Sequence, residues 1–180
     1  MKNGVVFSFF LLAAFGSFAQ EKLVESKIIQ ADSLSKDDIF IFVNEWFAKS
    51  YKSANDVIQM SDKEAGIVVG KGRFTYSYGK IVYAPYEGYV SYTIKVAIKD
   101  SRFKVELTDF THAVNPGNAP NCALGLISTA AEYTTTGMSK MYHNNVWVDL
   151  KGKSQAYAEQ VFLSIEKDLQ NYKAADKDDW

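Results

Sequence analysis

Two histidines, one cysteine and scattered carboxylates are the groups of this 180-residue chain that could do chemistry near neutral pH. Asp109 and His112 stand close together, Cys122 follows ten residues after His112, and His143 comes later. An imidazole beside a thiol can take its proton and leave a thiolate nucleophile. His112, Cys122 and His143 therefore compose a candidate hydrolytic site. Zinc is not indicated, because two imidazoles without a thiolate set fall short of the three or four ligands a zinc site takes. Neither H-E-x-x-H nor G-x-S-x-G occurs, and Asp and Glu are too dispersed to argue a carboxylate pair. No cofactor motif is present either. The glycine-rich stretch DKEAGIVVGKG (62–72) has the look of a phosphate loop. Yet only Ile67, Val68 and Val69 separate Gly66 from Gly70, and Gly72 stands where a Mg²⁺-binding hydroxyl is required.

Aromatic residues are the denser signal. Tyr76, Tyr78, Tyr83, Tyr86, Tyr89 and Tyr92 crowd into a short stretch. Tyr76, Tyr78 and Tyr92 read as ordinary cross-strand partners. Tyr83 and Tyr86 lie in the connection GKIVYAPYEG (79–88), where a phenol with one dry and one wet end suits a contact surface. Tyr133, Tyr142 and Trp147 form a second candidate contact group.

The elements that must position these residues follow from periodicity. Ser35, with Asp38 three residues on, reads as a helix start whose side chains cap each other. Ile39, Val43, Trp46 and Phe47, broadened by Phe40 and Phe42, then make an apolar face wide enough to need a sheet beneath it. Residues 22–31 suit a leading edge strand. After Asp56 the pattern alternates: strands are expected at 57–60, 67–78, 89–99 and 102–110, with a turn at 62–66 in which Gly66 takes positive φ. In the third of these, Val90, Tyr92, Ile94, Val96 and Ile98 point inward, and Ser91, Thr93, Lys95, Ala97 and Lys99 outward. The glycine-rich stretch is thus hairpin, with Gly70 and Gly72 marking a bulge or a close approach. Residues 113–152 show little periodicity and read as a long irregular insertion. Gly152 and Ser154 announce a final helix carrying Ala158, Val161, Phe162, Ile165, Leu169 and Tyr172 on one face.

The ends and the composition bound the rest. Lys2 precedes an uncharged apolar run at 5–18, and Ser17 and Ala19 supply the small residues of a cleavage site before Gln20. This is the pattern of a secretory signal peptide over residues 1–19. Residues 20–180 then suit one domain, and at 47% hydrophobic residues the chain can fill a core. A net charge of −1 excludes the broad basic footprint of nucleic-acid binders. With one cysteine no intramolecular disulfide forms, and Cys122 reads as a buried, inert thiol. No later segment is apolar enough for a transmembrane anchor.

The order β-α-β-β-β-β-α is the layout of a half TATA-binding-protein unit: a curved antiparallel sheet of four to five strands with two helices on one face. The segments EWFAK (45–49), SANDVIQ (53–59), DKEAG (62–66) and VSYTI (90–94) resemble an uncharacterised family of secreted Bacteroidetes proteins, catalogued as a domain of unknown function with a TBP-like fold. That resemblance implies an exported α+β domain and supplies no catalytic residues. It covers about 35–111 well and the last helix loosely; residues 113–152 owe nothing to it.

The expected function is a non-enzymatic binding module in the periplasm or outside the cell. It would offer its open sheet face, with Lys95 and Lys99, or its tyrosine loop to another envelope protein, a surface molecule or a small ligand. The alternative is an envelope hydrolase with its site near His112, Cys122 and His143. A third possibility is a structural subunit that buries a sheet edge against copies of itself.

Overall fold

The computed structural model describes residues 21–51, 57–135, 137 and 139–175. The signal peptide read at 1–19 and part of the SANDVIQ segment lie outside these residues.

The first helix, α1 (Lys36–Ser50), begins as its sequence requires. Asp38 N–H donates to the Ser35 hydroxyl at 3.2 Å, and the Ser35 N–H donates back to the Asp38 carboxylate at 3.1 Å. This reciprocal cap satisfies two amide donors that the helix itself leaves open. Its buried stripe is Ile39, Phe42, Val43, Trp46 and Phe47.

Under that stripe lies an antiparallel sheet. Its strands are β1 (Glu25–Gln30), β2 (Ile58–Asp62), β3 (Ile67–Tyr76), β4 (Gly88–Lys99), β5 (Arg102–Val114) and the short β6 (Gly125–Leu126). The spatial order is β1-β5-β4-β3-β2, with β6 pairing the far end of β5. β1 takes the first half of β5, from Arg102 to Leu107, and β6 takes Thr111 and His112. Gly66, at φ +67, closes the β2–β3 turn, so the glycine-rich stretch is a hairpin.

Both helices cover the same face. Phe42 of α1 packs on Phe103 of β5 at 6.1 Å between ring centroids, and Phe47 sits over Gly70, where a Cβ would come within 2.8 Å of its ring. The second helix, α2 (Lys140–Ala175), lies beside α1: Phe42 and Tyr172 rings are 5.3 Å apart, and Trp46 Nε1 is 3.5 Å from the Ser164 hydroxyl. Lys27 of β1 bridges to Glu166 of α2 at 3.0 Å.

Three expectations change here. The final helix starts at Lys140, ahead of Gly152, so it runs for 36 residues and spans roughly 54 Å. β5 continues to Val114, so irregular chain is confined to about residues 115–139, not 113–152, and even this holds a short 3₁₀ turn (Pro120–Cys122) and β6. β5 also carries a bulge: Asp109 has φ +55, and the register with β4 shifts between Ser91 and Thr93. That extra residue moves the inward phase from Phe103, Val105 and Leu107 to Phe110 and His112.

Candidate functional site

The connection between β3 and β4 is a 3₁₀ turn, Ile81–Tyr86, and it buries the two tyrosines expected at a contact surface. Tyr83 and Tyr86 are buried, whereas Ile81 is 91% exposed. The reason is that each phenol finds a partner on α2. Asn145 donates to the Tyr83 hydroxyl at 2.8 Å, and the Tyr86 hydroxyl lies 3.2 Å from His143 Nδ1. Tyr83 also stacks on Tyr78 at 3.9 Å and meets the edge of Tyr142 at 5.7 Å. Tyr133 stacks on His143 at 5.5 Å and leans on Trp147, whose indole N–H donates to the Ala130 carbonyl at 2.9 Å. Tyr83, Tyr86, Tyr133, Tyr142 and Trp147, expected as two contact surfaces, therefore form one aromatic joint between the 3₁₀ turn, the 115–139 segment and α2. Tyr133 and Tyr142 keep part of their surface in water; the other three are buried.

His112, Cys122 and His143 converge on the same joint, but in a closed form. His112 is 1% exposed. Its Nε2–H donates to the Tyr86 carbonyl at 3.0 Å, and its Nδ1 accepts from the Leu124 amide at 3.2 Å. Both nitrogens of the neutral ring are used, so no lone pair remains for a general base. Burial holds the His112 pKa below its ordinary value, against the pull of the Tyr86 carbonyl. His143 Nε2 faces the Asn121 carbonyl at 3.2 Å, while its Nδ1 lies 2.9 Å from the Ser139 carbonyl as well as near Tyr86. Burial raises the Cys122 thiol pKa, only partly offset by its hydrogen bond with Tyr86. Tyr86 in turn is pushed up to about 12, chiefly by burial and then by Cys122. An activated nucleophile needs the opposite shift.

Among the described residues, no helix covers the opposite side of the sheet. Alternation and register place Lys71 and Arg73 of β3, Lys95 and Lys99 of β4, and Arg102 and Lys104 of β5 on the face away from the helices. Against them stand Glu106 and, at the margin, Asp62. Lys104 pairs with Glu106 at 2.7 Å. Arg73 lies over the Tyr89 ring at 5.4 Å. Among the described residues, Lys71, Arg73, Lys95, Lys99 and Arg102 have no carboxylate partner. The sequence pointed to Lys95 and Lys99 on this face. It did not reveal Lys71 and Arg73, although their period-2 spacing before Thr75 was the available signal.

At one edge this face turns into a cleft of about 860 Å³, lined by Tyr51, Lys71, Arg73, Phe74, Tyr89 and Tyr157 among others. Two of its lining phenols, Tyr51 and Tyr157, are joined through the buried Tyr92. The Tyr92 hydroxyl lies 3.0 Å from that of Tyr51 and 3.1 Å from that of Tyr157. Burial pushes Tyr51 up to about 12 and raises Tyr92 as well, so these two phenols stay neutral and act only as hydrogen-bonding groups.

Residues 26–113 match a family described as a domain of unknown function (DUF4468) with TBP-like fold. Among solved structures, the chain is similar to a TBP-like protein from Parabacteroides distasonis ATCC 8503. The TM-score is 0.62 at 18% identity, over 83% of this chain and 94% of that one. It is also similar to a DUF4468 family protein from Bacteroides ovatus ATCC 8483, with TM-score 0.55 at 21% identity, over 82% and 86% respectively. No curated protein matches. The α+β, TBP-like architecture expected from element order is the one observed. Among the described residues no helix is long and apolar enough to cross a membrane.

Proposed function

We propose, from the match of residues 26–113 to the DUF4468 family, that this chain is an exported, non-enzymatic binding module whose open sheet face receives an acidic envelope protein. Export rests on the charged start, apolar run and small-residue site of residues 1–19. The observation that carries the binding reading is a set of cations, Lys71, Arg73, Lys95, Lys99 and Arg102, that find no carboxylate among the described residues and lie on the sheet face opposite the two helices. In a chain of net charge −1 such a set is local, not a consequence of overall basicity. A confined basic patch favours a partner with a confined acidic patch. It disfavours nucleic acid, whose binding draws on a broad positive field. Against the hydrolase alternative, both ring nitrogens of His112 are occupied, and His112, Cys122 and His143 are all buried.

The test is fluorescence anisotropy of the mature chain with labelled polyglutamate, duplex DNA and anionic vesicles in parallel. Wild type is compared with a Lys95→Glu, Lys99→Glu double variant. Polyglutamate is expected to bind, to weaken as salt is raised, and to lose at least tenfold in affinity in the variant. Preference for DNA or vesicles would redirect the reading to those partners, and binding of none of the three would end it.

A further inference from the structure

β2 covers only the first part of β3. The register ends at Ile58 opposite Gly70, while β3 runs on to Tyr76, paired with β4 throughout. Among the described residues, the edge of β3 from Lys71 to Tyr76 therefore has a strand on one side only. Alternate residues there turn their amide and carbonyl groups toward the cleft described above. Such an edge is a template for another strand.

Resting on the reading above, we propose that this edge is where the partner docks: an extended acidic segment of another protein adds to β3 as a further strand. Side-chain direction specifies its sequence. Residues directly opposite each other in paired strands point to the same face. Positions opposite Lys71 and Arg73 lie on the open face and call for carboxylates. Positions opposite Gly72 and Phe74 turn to the helix side, where the Tyr51 and Tyr157 rings line the cleft, and call for apolar side chains. Gly72 presents no side chain of its own there, and Phe74 is already stacked on Tyr157 at 4.4 Å. The partner segment thus alternates acidic and apolar residues. A second copy of this chain is the poorer match. Antiparallel self-pairing centred on Arg73 sets cation against cation, and centred on Phe74 it sets Arg73 opposite Thr75 and Lys71 opposite Ser77, so neither register gives these cations a carboxylate.

The probe is a labelled, capped hexapeptide of alternating glutamate and valine. Two further versions carry backbone N-methyl groups on the odd or on the even residues. Binding is read by anisotropy, and amide protection at residues 71–76 by hydrogen exchange. The unmethylated probe is expected to bind and to protect that edge. One methylated version should lose at least tenfold in affinity while the other, whose methyl groups face away, binds nearly as well. A Lys71→Glu, Arg73→Glu variant, checked for folding by circular dichroism, should reject this probe and accept one of alternating lysine and valine. Equal binding of both methylated versions would overturn strand addition yet leave the basic face as the site. Binding of polyglutamate but not of the hexapeptide has the same meaning. Self-association of the wild type that the double variant abolishes would replace the acidic partner with a second copy.

Discussion

A Cβ placed on Gly72 would stand 2.5 Å from Cζ of Tyr92 and closer still to its hydroxyl. That hydroxyl is held from two sides by Tyr51 and Tyr157, so it cannot swing away without breaking the row. Gly72→Ala is therefore expected to lower stability by about 1–3 kcal/mol, the usual cost of overpacking. Urea denaturation would read this, and an unchanged midpoint would refute the close approach. Cys122 makes a second residue-scale case. Burial keeps its thiol protonated, so native protein at pH 8 should react with Ellman's reagent far more slowly than protein in urea. Equal rates would mean an accessible thiolate and revive the nucleophile. Residue types alone misled at Tyr83 and Tyr86. The stretch IVYAPY suggests tyrosines with one end in water, but Asn145 and His143 supply the phenols with partners from a helix some sixty residues away. No local pattern carries that information. The clustering of His112, Cys122 and His143 was foreseeable as chemistry; its closure by the Tyr86, Leu124 and Asn121 backbone was not.

Helix α2 shows what a single residue does to the reading of an element. Val146, Trp147, Leu150, Ser154, Ala158, Val161, Phe162, Ile165 and Leu169 are all buried, a helical stripe, with adjacent pairs at 146/147 and 161/162, that passes Gly152 without a break. The stripe was in the sequence; the glycine, a common helix punctuator, hid its first half. In the structure Gly152 is exposed and has open space where a Cβ would sit. Its cost is entropic and is not repaid by any close contact. Gly152→Ala is accordingly expected to stabilise the protein by about 0.4–1 kcal/mol, measured by thermal or urea unfolding. A loss of stability would mean that the helix needs a flexible point there. The strands were easier to read, because Val90 to Ile98 alternate without exception and one face of the sheet is covered. The bulge at Asp109 was not, since aspartate tolerates positive φ without announcing it.

On the scale of the molecule, one face of the sheet packs against both helices, and among the described residues no helix covers the other. The core lies mainly between the sheet and its two helices and continues into the His112 region, where Tyr83, Tyr86, Cys122, Leu124 and Ile127 join it. There β5, the 3₁₀ turn and the 115–126 segment meet at one neutral imidazole. This ties global stability to pH with a definite sign. His112 has a folded pKa below its ordinary 6.5. Above pH 6.5 neither folded nor unfolded chain binds the proton there, and its contribution is complete. As pH falls below 6.5 the unfolded chain takes up a proton that the folded chain refuses. Stability then drops, by at most about 1.4 kcal/mol per pH unit for one proton, until the folded pKa is passed. A protonated Nδ1 would also point a hydrogen at the Leu124 amide, so the 115–126 segment should loosen first. Urea midpoints between pH 7.5 and 5.5 should therefore fall more steeply in wild type than in a His112→Gln variant. Hydrogen exchange near Leu124 should quicken before the β3–β4 pairing does. The same slope in both proteins would place the acid sensitivity in another group. Asp38 cannot supply it in this window, because its carboxyl, held by the Ser35 hydroxyl and amide, titrates below its ordinary 3.8.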